Sequence, residues 1–414
     1  MVANESVVPR WRWGDVARPA AVWAVVVVVM VRVQSLAAPY GSGWRNRSVV
    51  DLLTGFDRVD QGRVAWDSGL YLTVASQGYP PGRGLEAGFP GFAMAIRGLS
   101  SISGWEVNTS GVVISAVAGL VVALLLWRWS ALVGLDRRAQ WVALLLVLLF
   151  PPAFVLFGVV YSDGFTLAAI LAVFVLADRE RWVLAGAAGA LATFSRPNAL
   201  PVIVLLVALV LERSGALAWT RPDGPGRGSG GARLRWWWSG VRWRPGALRW
   251  RHGGVLLSLL GVGSYSAWLW ARHGDPLYFG WLQTHAYGHT PPWHPWAWLK
   301  FPVWRPVPNL GEWVHEGASL LLVVGALVSV PRVARRLGTP YALYVVLVVV
   351  QSWLGTYNIA PAGRYMLPCI PVLAVTWAPS LARRRAGTGA LLVVSGVTSL
   401  VLAAGFAGAF PLNW

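Results

Sequence analysis

The sequence predicts an all-α, polytopic membrane protein, and three observations carry that expectation. Of its 414 residues, 56% are hydrophobic, and the mean hydropathy is +0.54. Only 13% are charged, against about 25% in a typical soluble domain. Long apolar runs recur, separated by short arginine-rich connectors. A soluble single-domain enzyme is thereby excluded. The net charge of +18 comes almost wholly from arginine. Such a balance can serve nucleic acid, but a membrane supplies the better cause. Basic residues gather in cytoplasmic loops and against anionic headgroups, so membrane lipids are expected partners and nucleic acid is not. The 27 tryptophans suit the membrane–water interface, where that side chain is enriched. Cys369 is the lone cysteine and can form no internal disulfide.

A helix needs roughly 20 apolar residues to cross the hydrocarbon core. Eleven crossings are expected, at 19–39, 109–128, 139–158, 162–177, 182–196, 198–212, 254–271, 315–331, 340–359, 366–381 and 387–408. The third contains Pro151-Pro152 and should break there, which is tolerated at membrane depth only against protein or a water-filled cavity. The connectors "DRR" (136–138), "DRER" (178–181), "RVARR" (332–336) and "RRR" (383–385) all fall on one side. The positive-inside rule makes that side cytoplasmic, with the N-terminus inside and the chain in the plasma membrane. The whole chain, 1–414, reads as one transmembrane domain. Its basic loop, 213–253, carries nine arginines and reads as a flexible segment lying on anionic headgroups.

Two large segments, 40–108 and 272–314, then face outward, as does the junction near 360–365. In the first, "WDSGLYLTVASQGY" and "FPGFAMAIRGLSSI" read as interfacial helices. They place Leu70, Tyr71, Val74 and Ala75, and then Phe92, Ala95, Ile96 and Leu99, on apolar faces. Asp67 opens the first helix, where a carboxylate commonly caps free N–H groups. Asp163 in "YSDGF" also begins a span and also suits a cap. Arg196 in "FSRPN" and Arg364 and Tyr365 in "GRYMLP" stand at span ends, where an arginine commonly snorkels. "RHGDPLYFGWLQTHAYGHT" supplies Asp275, Gln283, His285 and His289. Taken together these residues describe one outward cavity with carboxylates and arginines near bilayer depth. Charges there are costly and more often line a functional pocket. His285 and His289 are spaced i, i+4, as metal ligands on a helix can be. No carboxylate partner follows at the right spacing, so no metal is expected.

The ordered blocks "WDSGLYLTVASQGYP", "AGFPGF", "YSDGFTLA", "FSRPNAL", "GDPLYFGWLQTHAYG" and "GRYMLPCIPVLA" resemble those of bacterial mannosyltransferases of the PIG-V type. These are relatives of the second GPI mannosyltransferase, in the GT-C superfamily of polytopic enzymes that use lipid-phosphate sugars. The resemblance covers about 60–370. It implies a GT-C-like helix bundle with Asp67 as catalytic base. It also implies a polyprenyl-phosphate (dolichyl-phosphate-type) sugar donor, a glycolipid or glycan acceptor, and no cofactor. Arg364, Arg196, Asp163, Tyr365, His285, His289, Trp66 and Tyr71 are the expected donor phosphate and sugar contacts. The chain departs from the pattern at "FPGFA", where relatives show Phe-Pro-Leu-Tyr-Pro, and at Asp163, where they commonly carry Glu.

The chemistry fits these residues. A lipid-phosphate sugar has a good leaving group, so the reaction needs a base for the acceptor hydroxyl and cations for the phosphate. An arginine fork grips phosphate through two donors. Two other classes remain open: a transporter or flippase of lipid-linked sugars, for which Arg32 within the first span is the one favourable residue, and a non-catalytic cell-envelope subunit. No internal repeat supports the first. Retention of Asp67, Arg196 and Arg364 argues against the second.

Overall fold

Prolines and short polar connectors cut the apolar sequence into helices of unequal length. The computed structural model of the chain describes residues 13–38, 63–64, 67–219, 241–291, 293–298, 310–355 and 362–408. The first helices are α1 (Trp13–Ala37), α2 (Ser68–Gln77), α3 (Pro90–Ser103), α4 (Val107–Leu132), α5 (Arg137–Leu148), α6 (Ser162–Ala177), α7 (Trp182–Ser195) and α8 (Pro201–Arg213). After the basic loop come α9 (Ser258–His273), α10 (Tyr278–His285), α11 (Leu310–Leu337), α12 (Thr339–Leu354), α13 (Ala362–Tyr365), α14 (Ile370–Ala382) and α15 (Arg385–Ala407).

Among the described residues, five helices are long and apolar enough to cross a membrane. They are α1, α4, Trp250–His273 (α9 with the 3₁₀ turns before it), Glu316–Leu337 of α11, and Gly387–Ala407 of α15. These match five of the eleven expected spans. The others are shorter than a full crossing. α6, α7, α12 and α14 hold 10–17 residues, at most roughly 25 Å of helix against a core roughly 30 Å thick. For α6 the surroundings explain the shortfall. Leu167, Ile170, Leu171 and Phe174 of α6 are all buried, so that helix answers to protein on its flanks and need not match the bilayer.

The break at Pro151-Pro152 is present. α5 stops at Leu148, and Pro151–Leu156 runs on as 3₁₀ helix against α4 and α15. Gly119 of α4 makes room for it, since a Cβ there would strike the carbonyl of Leu156. The expected span 366–381 is not one helix. The chain turns between α13 and α14, and α14 contains a π-helical turn at Leu373–Trp377, beside Pro368 and Pro371. The basic loop also differs from expectation. Its two ends pair as an antiparallel ribbon, β1 (Leu217–Trp219) with β2 (Val241–Trp243), Leu217 opposite Trp243. The β-favouring Val and Trp residues there account for it.

One apolar core runs through α4, α5, α6, α8, α12 and α14. A second joins α2 and α3 to α4 through Tyr71, Val74, Ala75, Phe92, Ala93, Ile96 and Val112. α2 uses the face its spacing gives it, and α3 does so at Phe92 and Ile96 but buries Ala93 in place of the expected Ala95 and Leu99; Tyr71 meets Phe92 edge-on at 5.2 Å between centroids. On the far side of α6 from Asp163, Asp178 gathers the indole N–H of Trp129 (2.8 Å), the hydroxyl of Tyr341 (3.1 Å) and Arg213 (2.5 Å). That junction ties α4, α6, α8 and α12 together.

Candidate functional site

Asp67 occupies the N-cap position of α2, yet its side chain accepts no capping hydrogen bond. Its carboxylate is 57% exposed, and Oδ2 lies 3.7 Å from Nη2 of Arg364. Its backbone N–H donates to the hydroxyl of Tyr161 at 3.1 Å, which pins the start of α2 to the residue just before α6. The capping role open in the sequence is therefore not the one this carboxylate performs.

Asp163 sits in the first turn of α6 and likewise caps nothing. It forms an ion pair with Arg196, the residue that ends α7, and both side chains are buried. Arg364, from α13, places Nε 3.8 Å from Oδ1 of Asp163, so its guanidinium lies between the two carboxylates. Its side chain is only 10% exposed. Neither arginine snorkels to open water. Tyr365 stacks within 5.2 Å of both guanidinium carbons, and the Tyr161 ring lies 5.1 Å from that of Arg364. Two acids and two arginines balance in charge, as burial at this depth requires. The balance is ionic rather than directional. Asp163 Oδ2 and Arg196 Nη1 face each other in the ion pair, and Arg364 Nε makes no aligned hydrogen bond.

The neighbouring sequence makes this convergence possible. Gly91 lies against the backbone of Phe194 and the hydroxyl of Ser195, and a Cβ would come within 2.6 Å of that hydroxyl oxygen. The glycine lets α3 close on the end of α7 immediately before Arg196. Gln351 of α12 donates to the carbonyl of Pro197 at 2.5 Å and holds the other side of the same turn. Tyr71 is buried, and its hydroxyl pairs with Ser162 Oγ at 2.7 Å. Burial pushes its phenol up, against the opposing pull of Arg196.

Other expected contacts lie elsewhere. His285 is exposed, stacks on Trp281 at 4.3 Å, and turns Nδ1 to the Trp281 carbonyl and the Thr284 hydroxyl; it does not join the cluster. The His289 N–H donates to the carbonyl of Gln283. Asp275 accepts from the N–H of Leu277 at 2.8 Å, a local turn bond. Trp66 lies outside the described residues.

Four residues were not singled out in the sequence. Tyr161 and Ser162 belong to "YSDGF", where attention to the acid hid the hydroxyls beside it. Tyr287 reaches the carbonyl of Gly84 at 3.3 Å, and its phenol is pushed up first by burial and then by Asp67 and Glu86. Glu86 is 3% exposed, with His273 at 3.4 Å and Arg272 at 3.9 Å. Nothing in "GLEAGF" distinguishes it from an ordinary loop acid.

No family model and no curated protein matches the chain. Solved structures similar to it include the oligosaccharyltransferase of Archaeoglobus fulgidus tethered to an acceptor peptide containing an NVT sequon. That pairing has a TM-score of 0.47 and 12% identity, over 96% of this chain and 55% of that one. The apo form gives 0.45 and 12%, over 96% and 56%. The Archaeoglobus fulgidus oligosaccharyltransferase AglB in complex with an inhibitory peptide and a dolichol-phosphate gives 0.46 and 12%, over 96% and 56%. This chain spans about half the length of those chains.

Proposed function

We propose that this chain is a multi-pass membrane glycosyltransferase of the GT-C type, related to the PIG-V mannosyltransferases. In this reading it transfers mannose from a polyprenyl-phosphate donor to a glycolipid or glycan acceptor on the extracytoplasmic face. The observation that carries the reading is Asp67: an open carboxylate that caps no helix, beside a guanidinium that is itself nearly buried. A purely structural pair would have little reason to leave one member in water and the other in the protein.

The acceptor hydroxyl approaches Asp67, which takes its proton as the oxygen attacks C1 of the sugar. The new C1–O bond forms as the old C1–O bond to phosphate breaks, and the bonding pair leaves with polyprenyl phosphate. One displacement with no covalent intermediate inverts the anomeric centre. Arg364, held by long contacts to both acids, is placed to turn its fork toward the phosphate and its growing charge. Arg196 is committed to Asp163, so that pair positions Arg364 and Tyr365 and leaves the direct phosphate contact to Arg364.

The test is transfer by the purified chain from radiolabelled polyprenyl-phosphate-mannose into a membrane lipid extract, with the Asp67→Asn protein alongside. Labelled lipid product in the wild type alone supports the reading. Absence of transfer from this and from other polyprenyl-phosphate hexoses would sink it.

A further inference from the structure

A cavity of about 360 Å³, lined by Glu180, Trp182, Arg213, Arg249, Arg251 and His252 among others, opens at the opposite end of the bundle from Asp67. α6 runs between the two places. Asp163 stands at its start and Asp178 just beyond its end, roughly 24 Å apart for 16 residues of helix.

The sequence builds this cavity from three elements. The α6–α7 turn brings Glu180 and Trp182, and α8 ends on Arg213. After β2 the chain returns in 3₁₀ turns over Pro245–Ala247 and Trp250–Leu257, which carry Arg249, Arg251 and His252. The seam is close-packed: Gly186 of α7 lies on the carbonyl of Gly254, and Gly254 on the backbone of Val183. His252 is buried, meets Trp182 edge-on at 6.1 Å, and accepts the backbone N–H of Arg249 on Nδ1 at 3.1 Å. With Nδ1 accepting, the neutral ring carries its proton on Nε2 and keeps one donor.

The charges do not balance. Arg213 is answered by Asp178 at 2.5 Å. Arg249 and Arg251 are exposed, and no carboxylate among the described residues forms an ion pair with either. Glu180 is the one acid in the lining, and it is the only described residue other than glycine with a positive φ, at 54°. Such strained positions persist where the surroundings hold them and cluster at binding sites. A general excess of arginine on one membrane face explains the charge. It explains neither the concavity nor the buried histidine and strained acid in its wall.

We propose that this cavity binds a phosphate group, gripped by Arg249 and Arg251 through charge-assisted hydrogen bonds. Its volume falls in the ordinary range for small-ligand sites. The phosphate can belong to an anionic phospholipid headgroup or be free in solution. Trp250, 90% exposed beside the arginines, is the side chain expected where a lipid headgroup region begins.

The test uses the full chain in phosphatidylcholine nanodiscs and reads the thermal unfolding midpoint. One arm replaces part of the lipid with phosphatidylglycerol, and the other adds inorganic phosphate. Each is repeated with Arg249→Gln/Arg251→Gln and with a charge-matched control, Arg332→Gln/Arg335→Gln, two exposed arginines outside the cavity. A midpoint raised by phosphatidylglycerol, lost in the cavity variant and kept in the control, assigns a lipid headgroup site. The same pattern with inorganic phosphate assigns a soluble ligand. The proposal is overturned if neither probe moves the wild type, or if the two variants respond alike.

Discussion

The open carboxylate of Asp67 and the buried guanidinium of Arg364 make opposite demands on a substitution. Asp67→Asn keeps the size of the side chain and removes the base. Because Asp67 caps no helix and is more than half exposed, folding should survive while transfer falls by about 10²-fold or more, the usual scale of general-base loss. Activity within a few-fold of wild type would remove Asp67 from the mechanism. Arg364→Lys retains charge without the planar fork and should still impair transfer. Arg364→Ala should cost about 2–4 kcal/mol in the transition state, the scale of one preorganised donor to developing charge. It also leaves Asp163 with one cation fewer. Donor binding must therefore be measured with turnover, and normal values of both would make Arg364 a structural anchor. The sequence made these candidates legible because a charge in an apolar chain stands out. It could not show partnership: Arg196 looked as free as Arg364, and only the fold shows it spent on Asp163. Tyr161 and Tyr287 stayed hidden because an aromatic residue in a membrane chain has so many ordinary uses.

The junction at Asp178 shows how the elements are held to one another. An acid just beyond a helix C-terminus opposes the helix dipole, and here it is offset by donors from three other helices, Trp129, Arg213 and Tyr341. Removing one neutral donor should matter little: Tyr341→Phe is expected to cost about 1 kcal/mol. Asp178→Ala strands a buried indole N–H and a buried hydroxyl as well as an arginine, and should cost roughly 3–5 kcal/mol. Thermal unfolding in detergent compares the two, and equal shifts would show that Asp178 is not the hub. Element positions were readable where apolar runs were long: α1, α4, α11 and α15 fall on expected spans. The short elements α6 (Ser162–Ala177) and α7 (Trp182–Ser195) also fall on expected spans, whereas the expected span 366–381 begins in the turn between α13 and α14. α6, with Leu167, Ile170, Leu171 and Phe174 buried, is packed by protein, so the 20-residue rule, which describes helices facing hydrocarbon, does not by itself decide whether so short a helix is a full crossing. The β1–β2 ribbon was missed because arginine and glycine between its strands masked the Trp and Val pattern at their ends.

At the scale of the molecule, the fold sorts charge by end. Asp136, Arg138, Arg336 and Arg383, from three separate connectors, line one cavity of about 240 Å³. Arg137 pairs with Asp15 near the start of α1 at 3.0 Å. Arg213 and Asp178 close the same ends of α8 and α6. The sequence had assigned these connectors to one side from charge alone, and the packing brings them to one end of the bundle. The Asp67 cluster occupies the other ends of α6 and α7. If the positive-inside rule governs insertion, the arginine-rich end faces the cytoplasm and the Asp67 end faces out. Two exposed positions test this in whole cells: Arg83, in the connector between α2 and α3, and Arg244, just after β2. Each is changed to Cys singly. The native Cys369 is buried and should stay silent toward an impermeant thiol reagent. Arg83→Cys should label in intact cells, and Arg244→Cys only after the membrane is permeabilised. The reverse pattern would place Asp67 in the cytoplasm, where a donor presented on the outer leaflet could not reach it. Labelling of both in intact cells would mean that the two ends share a side, which contradicts the passage of α6 between them.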